Sequence, residues 1–160
     1  MNGIMKLFLI RHAAALDGAD DDARPLSDRG RTRFARVVKG LARLGVELDH
    51  IAHSPKLRAV QTADAVAPLL RDEGTTEVFD ALADTPGGEL FAHLASLDGD
   101  IALVGHEPHL TLLLAKLVAG EDGLYSELKK GGIAVLEGEP RPGGMRLTLL
   151  LTPKAARRLA

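Results

Sequence analysis

A chain of 160 residues, 46% hydrophobic and 26% charged, has the size and composition of a globular domain with its own core. A formal charge of −2 and 3% aromatic content argue against nucleic-acid binding by bulk charge or base stacking, and the lack of cysteine excludes disulfides, thiolate catalysis and cysteine-ligated zinc. No apolar run approaches the ~20 residues of a membrane helix. MNGIMKLFLI at the N-terminus has one lysine and passes at once into strand-like sequence, unlike a signal peptide, so a cytoplasmic location without membrane or nucleic-acid partners is expected.

In chain order, residues 6–10 are the first predicted strand, a short apolar run. It ends on two polar side chains, Arg11 and His12, and a loop rich in Ala, Asp and Gly follows, closing with Arg24-Pro25-Leu26. Ser27 is placed to cap a helix with the apolar stripe Phe34, Val37, Val38, Leu41 and Leu44 and a stop at Gly45. Its basic residues (Arg29, Arg31, Arg33, Arg36, Lys39, Arg43) read as a solvated face rather than a docking surface. Residues 50–53 predict a second strand. Ser54-Pro55 predicts a helix cap and first turn, with Leu57, Val60, Ala63, Ala67 and Leu70 facing inward.

A third strand is expected at 77–79, a turn at Pro86-Gly87-Gly88 and a short helix over 89–97. Residues 101–104 are a buried strand, followed by Gly105, His106 and an amphipathic helix to about 118. Two adjacent strands close the pattern at 133–136 and 145–151, with a weak helix in PKAARRLA. Without repeat or linker, 1–160 is expected to form one domain. Strands alternating with helices predict right-handed crossovers, hence a three-layer α/β/α sandwich on a mostly parallel sheet, with the last strand antiparallel at an edge.

In such sheets ligands bind beyond the carboxyl ends of the strands. The first strand ends in Arg11-His12, the second runs into HSPKLRAVQT with Arg58 one turn into the helix, and the fourth ends in GHEPH with His106. If these strands are neighbours, two imidazoles and two guanidiniums converge. Two guanidiniums can grip a phosphate through paired N–H donors. One neutral imidazole can accept the phosphoryl group, and the other, protonated, can stabilise the developing charge. No metal is expected to be needed; His106 and His109 lack a third obvious ligand for zinc.

LFLIRHAA, RPLSDRG, HSPKLRAVQTA and LVGHEPHL resemble, in order and spacing, the histidine phosphatase superfamily and most closely its short SixA-type phosphohistidine phosphatases, over nearly the whole chain. The resemblance implies a phosphoglycerate mutase-like fold, phosphorylation of His12, and a phosphate pocket of Arg11, Arg58 and His106, with Arg24 as a further substrate-facing arginine. Ala13 stands where glycine is common in the family. Arg24 also has a plainer reading, a residue leading into the helix and paired with the aspartate loop. Lys129-Lys130-Gly131-Gly132 resembles the loop before the penultimate strand in SixA-like chains.

A phosphomonoesterase needs an acid to protonate the departing alkoxide. Asp17, Asp20, Asp21, Asp22 and Glu89 are the candidates, with Asp21 preferred. No position marks the acid clearly, and a phosphohistidine needs little help, because imidazole, with a reference pKa of ~6.5, is a good leaving group. Short spans between the motifs also leave little material for a lid. The expected substrate is therefore protein phosphohistidine, as on a histidine-containing phosphotransfer domain. The alternatives are a small phosphate ester or a non-catalytic phosphate-binding module. Thr62 is read either as a brace for the Arg58 guanidinium or as a plain polar position of the helix, and His50, His53 and His93 as packing or surface residues.

Overall fold

The computed structural model describes residues 4–160. Along β1 (Met5–Arg11) alternate side chains leave opposite faces: Phe8 and Ile10 enter one buried cluster, Met5, Leu7 and Leu9 another. Because helices cover both faces, the strand is a continuous apolar run rather than an alternating one. The other strands are β2 (Leu48–His53), β3 (Leu70–Val78), β4 (Asp100–Gly105), β5 (Ile133–Gly138) and β6 (Met145–Leu151). They form one sheet in the order β3-β2-β4-β1-β5-β6. β3, β2, β4 and β1 run parallel to one another; β5 runs antiparallel to β1, and β6, at the edge, antiparallel to β5.

The helices are α1 (Asp28–Arg43), α2 (Leu57–Val66), α3 (Gly88–Ala95), α4 (His109–Ala119) and α5 (Pro153–Arg158). Phe34, Val37 and Leu41 of α1, Ala59, Ala63 and Val66 of α2, and Ala156 of α5 pack with Phe8 and Ile10. Leu90 and Leu94 of α3 and Leu110, Leu113 and Leu117 of α4 pack with Leu7 and Leu9. The expected three-layer sandwich on a mostly parallel sheet is the fold of this chain. Among the described residues, no helix is long and apolar enough to cross a membrane.

Ser27 caps α1 as expected, accepting from Gly30 N at 2.9 Å. The same turn is tied to the segment after His12: Ser27 N donates to Ala14 O at 3.0 Å. A Cβ on Gly30 would stand 2.1 Å from that oxygen, so only glycine lets α1 approach so closely.

Two expectations need correction. Ser54 does not cap α2, which starts at Leu57 after Lys56 without a side-chain cap, and the buried face is Ala59, Ala63 and Val66 rather than Leu57, Val60 and Ala67. Pro68 ends regular helix there, and Leu70 already belongs to β3. β3 is longer than residues 77–79 because it is an edge strand: Arg71, Asp72 and Glu73 are exposed, and their polar run carries no strand periodicity.

Candidate active site

Adjacency of β1, β4 and β2 brings their carboxyl ends together. Arg11 pairs with Gly105 across the β1–β4 ladder, His12 N donates to Gly105 O at 3.0 Å, and Ser54 N donates to Val104 O at 3.0 Å. His12 and His106 are therefore seated on neighbouring strand ends, with ring centroids 5.1 Å apart and planes tilted by 49°. Each is only 6% exposed.

The local hydrogen bonds orient the rings. His12 Nδ1 lies 2.7 Å from Ala13 O. A carbonyl only accepts, so Nδ1 carries the proton and Nε2 keeps its lone pair. The chain just after His12 is held by Ala13 N donating to Thr62 Oγ1 at 3.0 Å, while that hydroxyl donates to Arg58 O at 2.7 Å. Thr62 thus braces the backbone behind His12 and not, as the sequence suggests, the Arg58 guanidinium. His106 Nε2 meets Ser54 Oγ at 2.7 Å.

Arg11 Nη1 donates to Leu128 O at 2.9 Å, and Gly131 N, at a φ of +78° suited to glycine, donates to the carbonyls of Arg11 and His12. The loop before β5 thereby clamps the end of β1. Arg58, 6% exposed, donates through Nη1 to Asp21 O at 2.6 Å and through Nη2 to Asp21 Oδ2 at 3.3 Å. It lowers the pKa of both imidazoles, as Arg11 does that of His12, so the four groups share one electrostatic environment.

Asp21, the preferred acid of the sequence reading, is held by three cations. Lys56, Arg24 and Arg58 hydrogen-bond its carboxylate and hold it well below the usual carboxylate range, the opposite of what a proton donor requires. Arg24 bonds to the aspartate loop through Leu16 O at 2.8 Å and Asp21 Oδ1 at 3.0 Å, the pairing that its plainer reading expects. Asp20 caps the short turn Asp21–Ala23, and Asp17, Asp22 and Glu89 are exposed, Glu89 in the first turn of α3. Among the described residues, no carboxylate pairs with His12 or His106.

Burial lowers His12 to about 4, reinforced by Arg58, Arg11 and Lys130 and opposed by the Ala13 carbonyl. Burial, with His12, Arg58, Lys56 and His109, lowers His106 to about 3. In the unfolded chain both titrate near ~6.5. Between these values the unfolded state binds protons that the native state refuses. Their stabilising contribution is complete above pH ~6.5 and is lost as pH falls toward the native values; for His12 it is on the order of 3 kcal/mol. The urea midpoint is expected to drop on acidification from pH 6.5 to 4, and less so in His106→Ala. Parallel wild-type and variant curves would refute the assignment.

Fold and paired imidazoles together define a class, and comparison with known proteins agrees. The family model of the histidine phosphatase superfamily (branch 1) matches residues 7–94. The chain is 34% identical over 125 residues to phosphohistidine phosphatase SixA of Escherichia coli, covering 73% of this chain and 76% of that protein. An uncharacterized protein of Picosynechococcus sp. is 38% identical over 94% of this chain and 98% of its own. The solved structure of the protein histidine phosphatase SixA complexed with tungstate superposes with a TM-score of 0.78 at 28% identity, covering 94% of this chain and 98% of that one.

This chain belongs to the histidine phosphatase superfamily. It is SixA-like, a phosphatase by descent. His106 lies beyond the segment matched by the family model and enters the site through its contacts.

Sequence reading missed Ser54, disguised as a helix cap by the proline after it. Removing its hydroxyl leaves His106 Nε2 buried without a partner. Ser54→Ala is expected to lower kcat about 10-fold with little change in KM, the cost of one unsatisfied buried polar group. Steady-state kinetics check this, and an unchanged kcat would remove Ser54 from the site.

Proposed function

We propose that this protein is a metal-independent phosphatase that passes the phosphoryl group through His12 and acts on phosphohistidine in proteins. The observation that carries the reading is the fixed tautomer of His12: its proton is held on Nδ1 by Ala13 O, and Nε2 is free to attack phosphorus. The Nε2–P bond forms as the bond from phosphorus to the substrate imidazole breaks, that imidazole leaving neutral with the proton on its distal nitrogen; water then attacks the same phosphorus as the Nε2–P bond breaks, which releases dihydrogen phosphate and returns His12 to its neutral form. Arg11 and Arg58 balance the charge on the non-bridging oxygens. His106 is neutral in the free protein; a phosphate dianion beside it favours its protonated form and makes it a donor to the same oxygens.

Two features support a phosphohistidine protein over a small ester. Among the described residues no carboxylate pairs with His12 or His106, whereas a departing imidazole needs no strong acid. Beside Ala13 a groove of about 470 Å³ is ringed by Arg29 and Arg33 of α1, Lys129 and Lys130 before β5, and Lys154 and Arg157 of α5. Among the described residues only Lys129 of these six has a carboxylate partner, Glu127. Such a surface in a protein of net charge −2 suits an acidic protein face. Similarity to proteins named phosphohistidine phosphatase SixA, and to one that binds tungstate, a tetrahedral oxyanion, points the same way.

The test compares a histidine-phosphorylated phosphotransfer domain with an aryl phosphate. The phosphoprotein is expected to react with kcat/KM at least about 100-fold higher, and only its reaction is expected to weaken markedly as salt is raised. Preference for the aryl phosphate would replace this reading with a small-ester phosphatase.

A further inference from the structure

Away from the strand ends, two imidazoles and a carboxylate meet on the face of the sheet covered by α3. His50 lies on β2 two residues before Ala52, whose side chain belongs to the core on that face; Glu77 of β3 pairs with Ala52, and His93 belongs to α3. Their ligand atoms, one from each residue, all lie within 4.8 Å of one another. Glu77 Oε1 is 3.0 Å from His50 Nε2 and also touches His93 Nε2.

Three observations separate this trio from a plain hydrogen-bonded tether. First, His50 is 8% exposed and its Nε2, buried, makes no hydrogen bond although Oε1 is 3.0 Å away, so the oxygen lies off the N–H direction. For the His50–Glu77 pair this is how donor atoms sharing one small cation stand, ~3.3 Å apart for bonds of ~2.0 Å in a tetrahedral shell; the hydrogen bond between His93 Nε2 and Glu77 Oε1 has to open for the ion to enter. Second, His50 Nδ1 is tied to Thr75 Oγ1 at 2.6 Å, an outer hydrogen bond of the kind that orients a metal-binding imidazole. Third, the His93 ring is stacked on Phe79 with centroids 4.3 Å apart and planes 15° from parallel, which fixes its orientation.

We propose that His50, Glu77 and His93 bind one first-row divalent cation, with zinc the best match to two imidazoles and a carboxylate, and that solvent reaching the 36% exposed Glu77 side chain completes a four-coordinate shell. The ion would join β2, the edge strand β3 and α3. His50 lies four residues before Ser54, about 13 Å along an extended chain, so the ion takes no part in phosphoryl transfer.

The full chain, stripped with a chelator and titrated with zinc alone or cobalt alone in phosphate-free buffer, tests this. One equivalent of zinc is expected to bind in competition with a chromophoric chelator, Tm is expected to rise with zinc concentration, and cobalt is expected to give the intense visible bands of a tetrahedral site. His93→Ala and Glu77→Gln should lose these signals while keeping the wild-type circular dichroism and aryl phosphate hydrolysis. The proposal is overturned if the wild type binds no stoichiometric zinc or if both variants bind it unchanged. Binding that persists in His93→Ala but disappears in His12→Ala also overturns it, because the ion would then sit on the paired imidazoles of the strand ends.

Discussion

Replacing His12 with alanine is expected to lower turnover of every phosphorylated substrate by about 10⁴-fold or more while leaving the fold and oxyanion binding in place. The backbone of residue 12 is held by bonds that do not involve its side chain, from His12 N to Gly105 O and from Gly131 N to His12 O. Arg11, Arg58 and His106 remain in the variant, so vanadate or tungstate should bind within a few-fold of wild type. Rapid-quench experiments with radiolabelled substrate should trap an acid-labile phosphoenzyme in the wild type and none in the variant. Residual turnover within tenfold of wild type would mean that another group attacks phosphorus.

Arg58→Gln is expected to cost about 10²–10³ in kcat/KM, with vanadate affinity falling as well, because the buried guanidinium is the charge shared by both imidazoles. Arg58→Lys should recover only part of the loss: an ammonium keeps the charge but cannot present two parallel N–H donors. Measured kcat/KM and vanadate inhibition decide this, and a fully active lysine variant would show that charge alone suffices.

The layering was legible because it depends on apolar runs, and the motifs at strand ends named His12 and His106; that they meet depended on a strand order, β2-β4-β1, which the sequence left as a condition. What stayed hidden depends on distance across the fold. Ser54-Pro55 has the local signature of a helix start, and nothing nearby in sequence says that its hydroxyl meets a histidine 52 positions later. β3 was underestimated because an exposed edge strand can be polar throughout. Arg24 and Asp21 share a helix-leading loop with several carboxylates, and sequence alone does not say which arginine each will find; the structure pairs both with each other and Asp21 with Arg58 as well. His50, Glu77 and His93 come from three separate elements, and no spacing rule links them.

The grip of Asp21 on Arg58 has a consequence for affinity. If Arg58 receives the phosphoryl group as proposed, the incoming anion meets a guanidinium already paired with an internal carboxylate, so binding is a replacement of one negative partner by another. The observed affinity is then a difference between two attractions, and the released Asp21 carboxylate still has Lys56 and Arg24 to receive it. Weakening that hold, as in Asp21→Asn, should tighten the hold on free phosphate and turn a readily released product into an inhibitor.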